Sequence, residues 1–224
     1  KIRQVLEKEK LDACASFLTN TGFLYHYGYS QNQSDKKYNK SHYMYSVKGA
    51  CFLTRRNLID KIGLFDDVYF AYFEETDFCH RVWLSGHKVL YEPRSEIFHL
   101  GGPDKEVSSQ IIFNSYKNRL QTYLKNFEVE TAIRILSIHI VISLLISFAY
   151  LIKGKFGYGI AIIRALGWNL FNIFKILEKR KFIKEKVRKI RDDKFLPKIT
   201  KVAKLSYYEH FFFNPRGYYD FEEI

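Results

Sequence analysis

The sequence predicts an α/β chain that runs on into amphipathic, membrane-associated helices. Short extended runs alternate with glycine-stopped helices through residue 104. An unbroken apolar stretch, ILSIHIVISLLISFAYLI, fills residues 135–152, and a polybasic segment follows it. These features divide the chain into an α/β region at 1–104, a connecting helix at 105–128, a basic helical region at 129–204 and an aromatic tail at 205–224.

In chain order, residues 1–10 are charged and helix-like, and residues 11–18 (LDACASFL) read as a strand continuing a sheet. Residues 25–45 are rich in Tyr, Ser, Asn, Gln and Lys and poor in branched aliphatics, which predicts a long loop. A short helix over 55–62 stops at Gly63, where a left-handed cap costs a glycine little. After the turn Leu64-Phe65-Asp66-Asp67 and the aromatic run 69–73, a second helix is expected over 74–85, stopping at Gly86. Phe78, Cys79 and Val82 mark its buried stripe, and Asp77 stands four residues before Arg81, the spacing of a helical ion pair. Extended runs follow at 87–91 and 95–99, then Gly101-Gly102, where a diphosphate can approach the backbone closely. A further helix opens at 115–119 and continues to about 127.

Glu75 is the unusual carboxylate. It lies in the first turn of its helix, beside aromatic residues and two other acids. Burial and like charge raise the pKa of such a group, while the helix N-terminus lowers it. A carboxylate balanced in this way can take a proton from a hydroxyl as that oxygen attacks. His99 follows Glu75 by 24 residues and precedes the glycine pair.

The acidic cluster Glu74-Glu75-Thr76-Asp77, the Phe-Asp turn before it and His99 before Gly101-Gly102 together resemble the family 2 glycosyltransferases of the GT-A type. The similarity is greatest to their rhamnosyltransferase-like branch and covers roughly residues 12–128. It implies the C-terminal, acceptor-side part of a Rossmann-like GT-A domain, with Glu75 as catalytic base and His99 as a ligand of a divalent metal (Mg or Mn). Glu74 and Asp77 would orient acceptor hydroxyls or the base. The Asn118-Arg119 pair often stands near the site entrance in similar enzymes, which makes Arg119 a candidate for an acceptor diphosphate. The implied partners are a nucleotide-sugar donor, with dTDP-rhamnose suggested, and a lipid-linked saccharide acceptor. The family's aspartate-rich metal motif does not precede Glu74, and Asp12 and Asp35 are isolated. With no initiating methionine either, the expectation is the C-terminal part of a longer enzyme, inactive by itself.

The excess of positive charge is confined to one region. Residues 153–204 hold sixteen Lys/Arg against four Asp/Glu, which accounts for the whole formal excess of +12. Within 135–152, His139, Ser143, Ser147 and Tyr150 draw one weakly polar stripe, and basic residues, Lys125 and Arg134 among them, flank both ends. Residues 160–179 carry Arg164, Asn172, Lys175 and Lys179 on one face and large apolar residues on another, the pattern of an interfacial helix. The polybasic run 179–191 suits a surface of anionic lipid, and the expected location is the cytoplasmic face of the cell membrane, peripheral or monotopic. A non-catalytic membrane-associated scaffold and a basic nucleic-acid-binding module are the competing classes. Nucleic acid is not an expected partner, because the charge flanks apolar helices instead of decorating a stacking sheet. Cys14, Cys51 and Cys79 are odd in number and far apart, which argues against a disulfide framework or a zinc site.

Overall fold

A computed structural model of the chain describes residues 1–100, 107–204 and 207–208. The chain is mixed α/β, with small sheets and seven α-helices among the described residues. It forms two compact units: residues 1–54, 88–106 and 196–224 make one, and residues 55–87 and 107–195 the other.

The first unit carries every described strand. Strands β1 (Ile2–Gln4), β2 (Leu11–Ala13) and β7 (Ile97–His99) form a sheet in the order β2-β1-β7. In it β1 runs antiparallel to β2 and parallel to β7. A second sheet, ordered β4-β3-β8, joins β3 (Ala15–Thr19), β4 (Leu24–Tyr27) and β8 (Thr200–Lys201), which follows the short helix α7 (Leu196–Ile199). Strands β5 (His42–Tyr43) and β6 (Leu90–Tyr91) pair separately. Three expectations are corrected here. Residues 1–10 open with a strand, not a helix. The strand expected over 11–18 divides near Cys14 between two sheets. The loop expected over 25–45 contains β4, a 3₁₀ turn at Lys36–Asn39 and β5, and it buries Tyr27, Tyr38, Met44 and Tyr45 completely. Its tyrosines supply the apolar bodies that branched aliphatics usually provide. Gly28, at φ +79°, lies where a Cβ would stand 3.0 Å from Leu11 and 3.1 Å from Cys14 Sγ, so the chain must turn there without a side chain.

The second unit is helical. Helix α1 (Arg56–Ile62) ends at Gly63, φ +74°, whose N–H donates to the Ile59 carbonyl. Helix α2 (Glu74–Leu84) is buried from Thr76 onward, Phe78, Cys79 and Val82 included, and Gly86 at φ +84° follows it. Helix α3 (Ser109–Asn126) starts six residues before the expected opening, capped by Ser108 Oγ, which accepts from the Ile111 N–H at 3.2 Å. It packs on α2 and on the helices after it: α4 (Val129–Ile152), α5 (Phe156–Phe171) and α6 (Ile173–Phe182), the last extended by a π-helical turn, Ile183–Val187.

The polar stripe of α4 turns inward. His139, Ser143 and Ser147 are buried, and Ser147 Oγ donates to the Gly159 carbonyl at 2.8 Å. Gly159 permits this approach, since a Cβ there would lie 2.8 Å from the Leu151 side chain and 2.9 Å from the Ser147 carbonyl. The opposite face of α4 exposes Val129, Ile133, Val141, Leu145, Phe148 and Ile152. The single helix expected over 160–179 is instead two, bent by 64° at Asn172. The bend leaves Phe171 and Phe174 88% and 80% exposed. By length and composition α4 is long and apolar enough to cross a membrane, with a third of its apolar window buried inside the protein.

Candidate functional site

The head of α2 is built by α3. Along one side of α3, Lys117 Nζ donates to the Val68 carbonyl at 3.1 Å, and Asn118 Nδ2 donates to the carbonyls of Ala71 and Tyr72 at 2.9 and 2.6 Å. Thr122 Oγ1 and Tyr69 Oη lie 2.9 Å apart. Lys125 Nζ reaches Asp66 at 2.7 Å and Asp77 at 3.0 Å. Asn126 Nδ2 donates to Asp77 Oδ1 at 2.8 Å. Every one of these α3 residues is buried. They fasten the backbone from 66 to 77 from beneath, a requirement that explains so polar a helix in an interior.

Two consecutive residues in the fastened segment, Tyr72 and Phe73, adopt left-handed backbone angles, φ 69° and 74°. For bulky residues this costs about 1–3 kcal/mol each, and such strain persists only where the surroundings over-determine it. Phe73 is buried, with its ring 6.0 Å from Tyr123 and under the Arg119 guanidinium at 5.1 Å. The reversal sets Glu74 and Glu75 in the first turn of α2, both half-buried. Glu74 Oε2 is buried and makes no hydrogen bond among the described residues.

Asp77 differs from its neighbours. It is fully buried and bound by Lys125, Asn126 and Arg81, whose Nε donates to it at 3.0 Å across the expected i, i+4 spacing. Burial pushes its pKa up, but the Lys125 and Arg81 charges outweigh that and hold the carboxyl below its ordinary 3.8. Asp66 is likewise driven well below its ordinary value by Lys125 and Lys179 against the opposing effect of burial. Arg81 also donates to the carbonyls of Ile62, Gly63 and Leu64, closing the C-terminus of α1. Lys125, expected as a basic flank of the apolar segment, is instead an interior cation.

His99 lies in the strand-bearing unit. The order β2-β1-β7 brings Asp12 of β2 within reach of it across β1, and Asp12 Oδ2 meets His99 Nδ1 at 2.9 Å. Lys48 Nζ holds the same oxygen at 2.6 Å, and Asp12 is nearly inaccessible. A carboxylate on one ring nitrogen fixes tautomer and ring orientation for a ligand at the other, the usual support of a metal-binding histidine. No three His, Cys, Asp or Glu side chains gather as a metal cage among the described residues, so His99 fits as one ligand and not as part of a protein-built site. Asp12, isolated in sequence, was not legible as its partner: 87 positions separate the two. Gly101-Gly102, expected to approach a diphosphate, lies outside the described residues.

Of the five expected site residues, Glu74, Glu75, Asp77 and Arg119 belong to the helical unit, gathered at the start of α2, and His99 belongs to the other. Asn118, expected only as the neighbour of Arg119 near a site entrance, fastens the turn before α2 instead.

No family profile matches the chain, and no solved structure matches it. Over 53 residues it is 36% identical to N-acetylglucosaminyl-diphospho-decaprenol L-rhamnosyltransferase from two strains of Mycobacterium tuberculosis, CDC 1551 / Oshkosh and ATCC 25618 / H37Rv. The matched stretch is 24% of this chain and 17% of each relative, well under two thirds of their length. That similarity relates the chain to a glycosyltransferase.

Proposed function

We propose that the chain serves an inverting glycosyltransferase of the GT-A type, transferring a sugar from a nucleotide-sugar donor to a lipid-linked saccharide at a membrane surface. The observation that carries this reading is the strained, α3-fastened turn that delivers two half-buried glutamates to the head of a buried helix. Strain of this kind gathers at active sites. Glu75 is the base. It takes the proton of an acceptor hydroxyl while that oxygen bonds to the anomeric carbon, and the bond from that carbon to the diphosphate breaks with its electron pair leaving on the nucleotide. Glu74, with an oxygen that finds no partner among the described residues, orients acceptor hydroxyls. Arg119, stacked on Phe73, faces the acceptor diphosphate. Asp77 contributes through the scaffold, because both of its oxygens are already engaged.

His99, oriented by Asp12, is the protein ligand offered to a divalent ion (Mg or Mn), which when bound would neutralise charge on the diphosphate. Rhamnose as the sugar follows the name of the similar mycobacterial proteins, as does a lipid-diphosphate acceptor. The exposed apolar faces of α4, α5 and α6 beside the basic residues of 179–191 support attachment to the cytoplasmic face of the membrane, peripheral or monotopic.

The test expresses the gene that encodes the chain and assays its membranes for transfer from dTDP-rhamnose to a lipid-linked N-acetylglucosamine. Glu75→Gln should lower transfer about 10²- to 10⁴-fold, the usual contribution of a general base, and leave donor binding nearly unchanged. Retained turnover in a folded variant removes Glu75 from the role.

A further inference from the structure

The helical unit holds a cleft of about 300 Å³ between the end of α3, the start of α4 and the segment after α6. Its lining includes Arg180, Lys184, Arg188 and Arg191, opposed by Glu128 and Glu130. Of the two glutamates, Glu128 is already committed. Glu128 accepts from the Asp192 N–H at 2.9 Å and lies 3.8 Å from Arg191. Arg188 is paired with Asp192 at 2.9 Å. Arg180 donates to the Leu124 carbonyl but has no carboxylate within 4 Å among the described residues, and neither has Lys184. Burial and then the neighbouring Arg188 lower the pKa of Arg180, as expected where cations are gathered beyond what their surroundings neutralise.

The cleft also opens on an apolar surface. Val129 belongs to its lining and starts the exposed row Val129, Ile133, Val141, Leu145, Phe148 and Ile152 along α4. These residues fall at helical spacing on one side, so a chain of methylenes laid on that row ends at the basic cleft.

We propose that this cleft binds the phosphate group of a lipid whose apolar tail lies along the exposed face of α4. Arg180, Lys184 and Arg191 supply the charge-assisted donors, and the first turn of α4 adds its N-terminal dipole. Free phosphate offers the same headgroup chemistry, but the apolar row argues for the lipid. This rests on the membrane attachment proposed above and narrows it from diffuse attraction to one built position.

The experiment measures partition of the full chain onto vesicles of phosphatidylcholine with and without phosphatidylglycerol. Two charge-matched variants are compared, Lys184→Gln/Arg191→Gln in the cleft and Lys175→Gln/Lys186→Gln outside it. All four positions are solvent-exposed, so the fold is retained in both. Losing two charge-assisted contacts should weaken binding to phosphatidylglycerol vesicles about tenfold more in the cleft variant than in the control. Inorganic pyrophosphate should compete only at far higher concentration than lipid phosphate. Equal losses in the two variants would overturn the cleft while leaving membrane attachment standing. Competition by pyrophosphate as strong as by lipid assigns the cleft to a soluble anion and overturns the lipid. No binding to any vesicle removes the membrane reading itself.

Discussion

Asn118→Ala tests the construction of the site most directly. Asn118 is fully buried, and its amide donates to two successive carbonyls, Ala71 at 2.9 Å and Tyr72 at 2.6 Å. At about 1 kcal/mol each, the two bonds contribute about 2 kcal/mol. The left-handed residues they restrain, Tyr72 and Phe73, carry about 1–3 kcal/mol each of steric cost. Restraint and strain are therefore of similar size, and without the amide the turn relaxes toward ordinary angles. The net loss of stability should be only about 1–2 kcal/mol, because relaxation returns part of the strain. Transfer should fall much further, since displacing a catalytic group by about 1 Å can cost about 10²-fold. Tyr72→Gly in the Asn118→Ala background should recover part of the lost stability, because glycine adopts φ 69° without a Cβ penalty. Thermal unfolding in detergent and transfer in membranes give the two readouts. A folded Asn118→Ala protein with undiminished transfer would refute the argument that this amide sets the position of Glu75.

Four further outcomes follow from the same unit. Lys125→Met should cost about 3 kcal/mol, the low end for breaking a buried pair, because Arg81 and Lys179 still reach the stranded carboxylates. Arg56→Ala, which removes an exposed i, i+4 pair, should cost under about 0.5 kcal/mol; a denaturant titration reads both variants. Burial, with Arg188 adding to it, pulls the pKa of His80 from 6.5 down to about 3. The unfolded chain thus binds a proton that the folded one refuses, so this contribution is complete above pH 6.5 and is lost as pH falls toward 3. The loss should reach about 2 kcal/mol at pH 5, and His80→Gln should flatten the slope of stability against pH between 6.5 and 4.5. The Asp66 and Asp77 contributions do not confuse that window, since lowered carboxylates lose theirs only below about their ordinary 3.8. Gly159→Val should destabilise the α4–α5 contact by about 1–3 kcal/mol, read as a lower Tm, because the Ser147 carbonyl in its way is backbone and cannot swing aside.

The helices around the acidic cluster were legible because their signals are local. Gly63 and Gly86 stop α1 and α2 where expected, and the buried stripe of Phe78, Cys79 and Val82 follows from spacing alone. The strand-bearing unit was legible only in part: the extended runs expected at 87–91 and 95–99 hold β6 and β7, but the sheet pairing left no local signal. Its strands are two to five residues long, too short for an alternation to register, and they pair across as many as 182 positions, Leu18 with Thr200. Tyr27, Tyr38 and Tyr45 form much of its interior, and in a segment full of Ser, Asn and Lys such residues resemble a polar excursion. The break at Asn172 escaped for another reason. Apolar and basic residues continue in helical register on both sides of it, so periodicity carries no trace of the 64° bend.

Helix α3 shows why the site itself was only partly readable. A binary pattern assigns Lys117, Asn118, Gln121, Thr122, Lys125 and Asn126 to a solvent face, yet all six are buried. Five of them are turned inward by bonds to residues 66–77. Those bonds hold a backbone that could not keep two left-handed aromatic residues unaided. The same fact separates the acids of α2. Helical spacing alone pairs Asp77 with Arg81, and it does so here, but whether that pair faces water or the core depends on Lys125, 48 positions further along. With Lys125 beneath it, Asp77 is consumed by the scaffold, while Glu74 and Glu75 stay half-buried in the first turn of α2. Local rules fail on α3 because it satisfies a demand made by the turn it supports, which is where breaches of pattern are expected near a functional site.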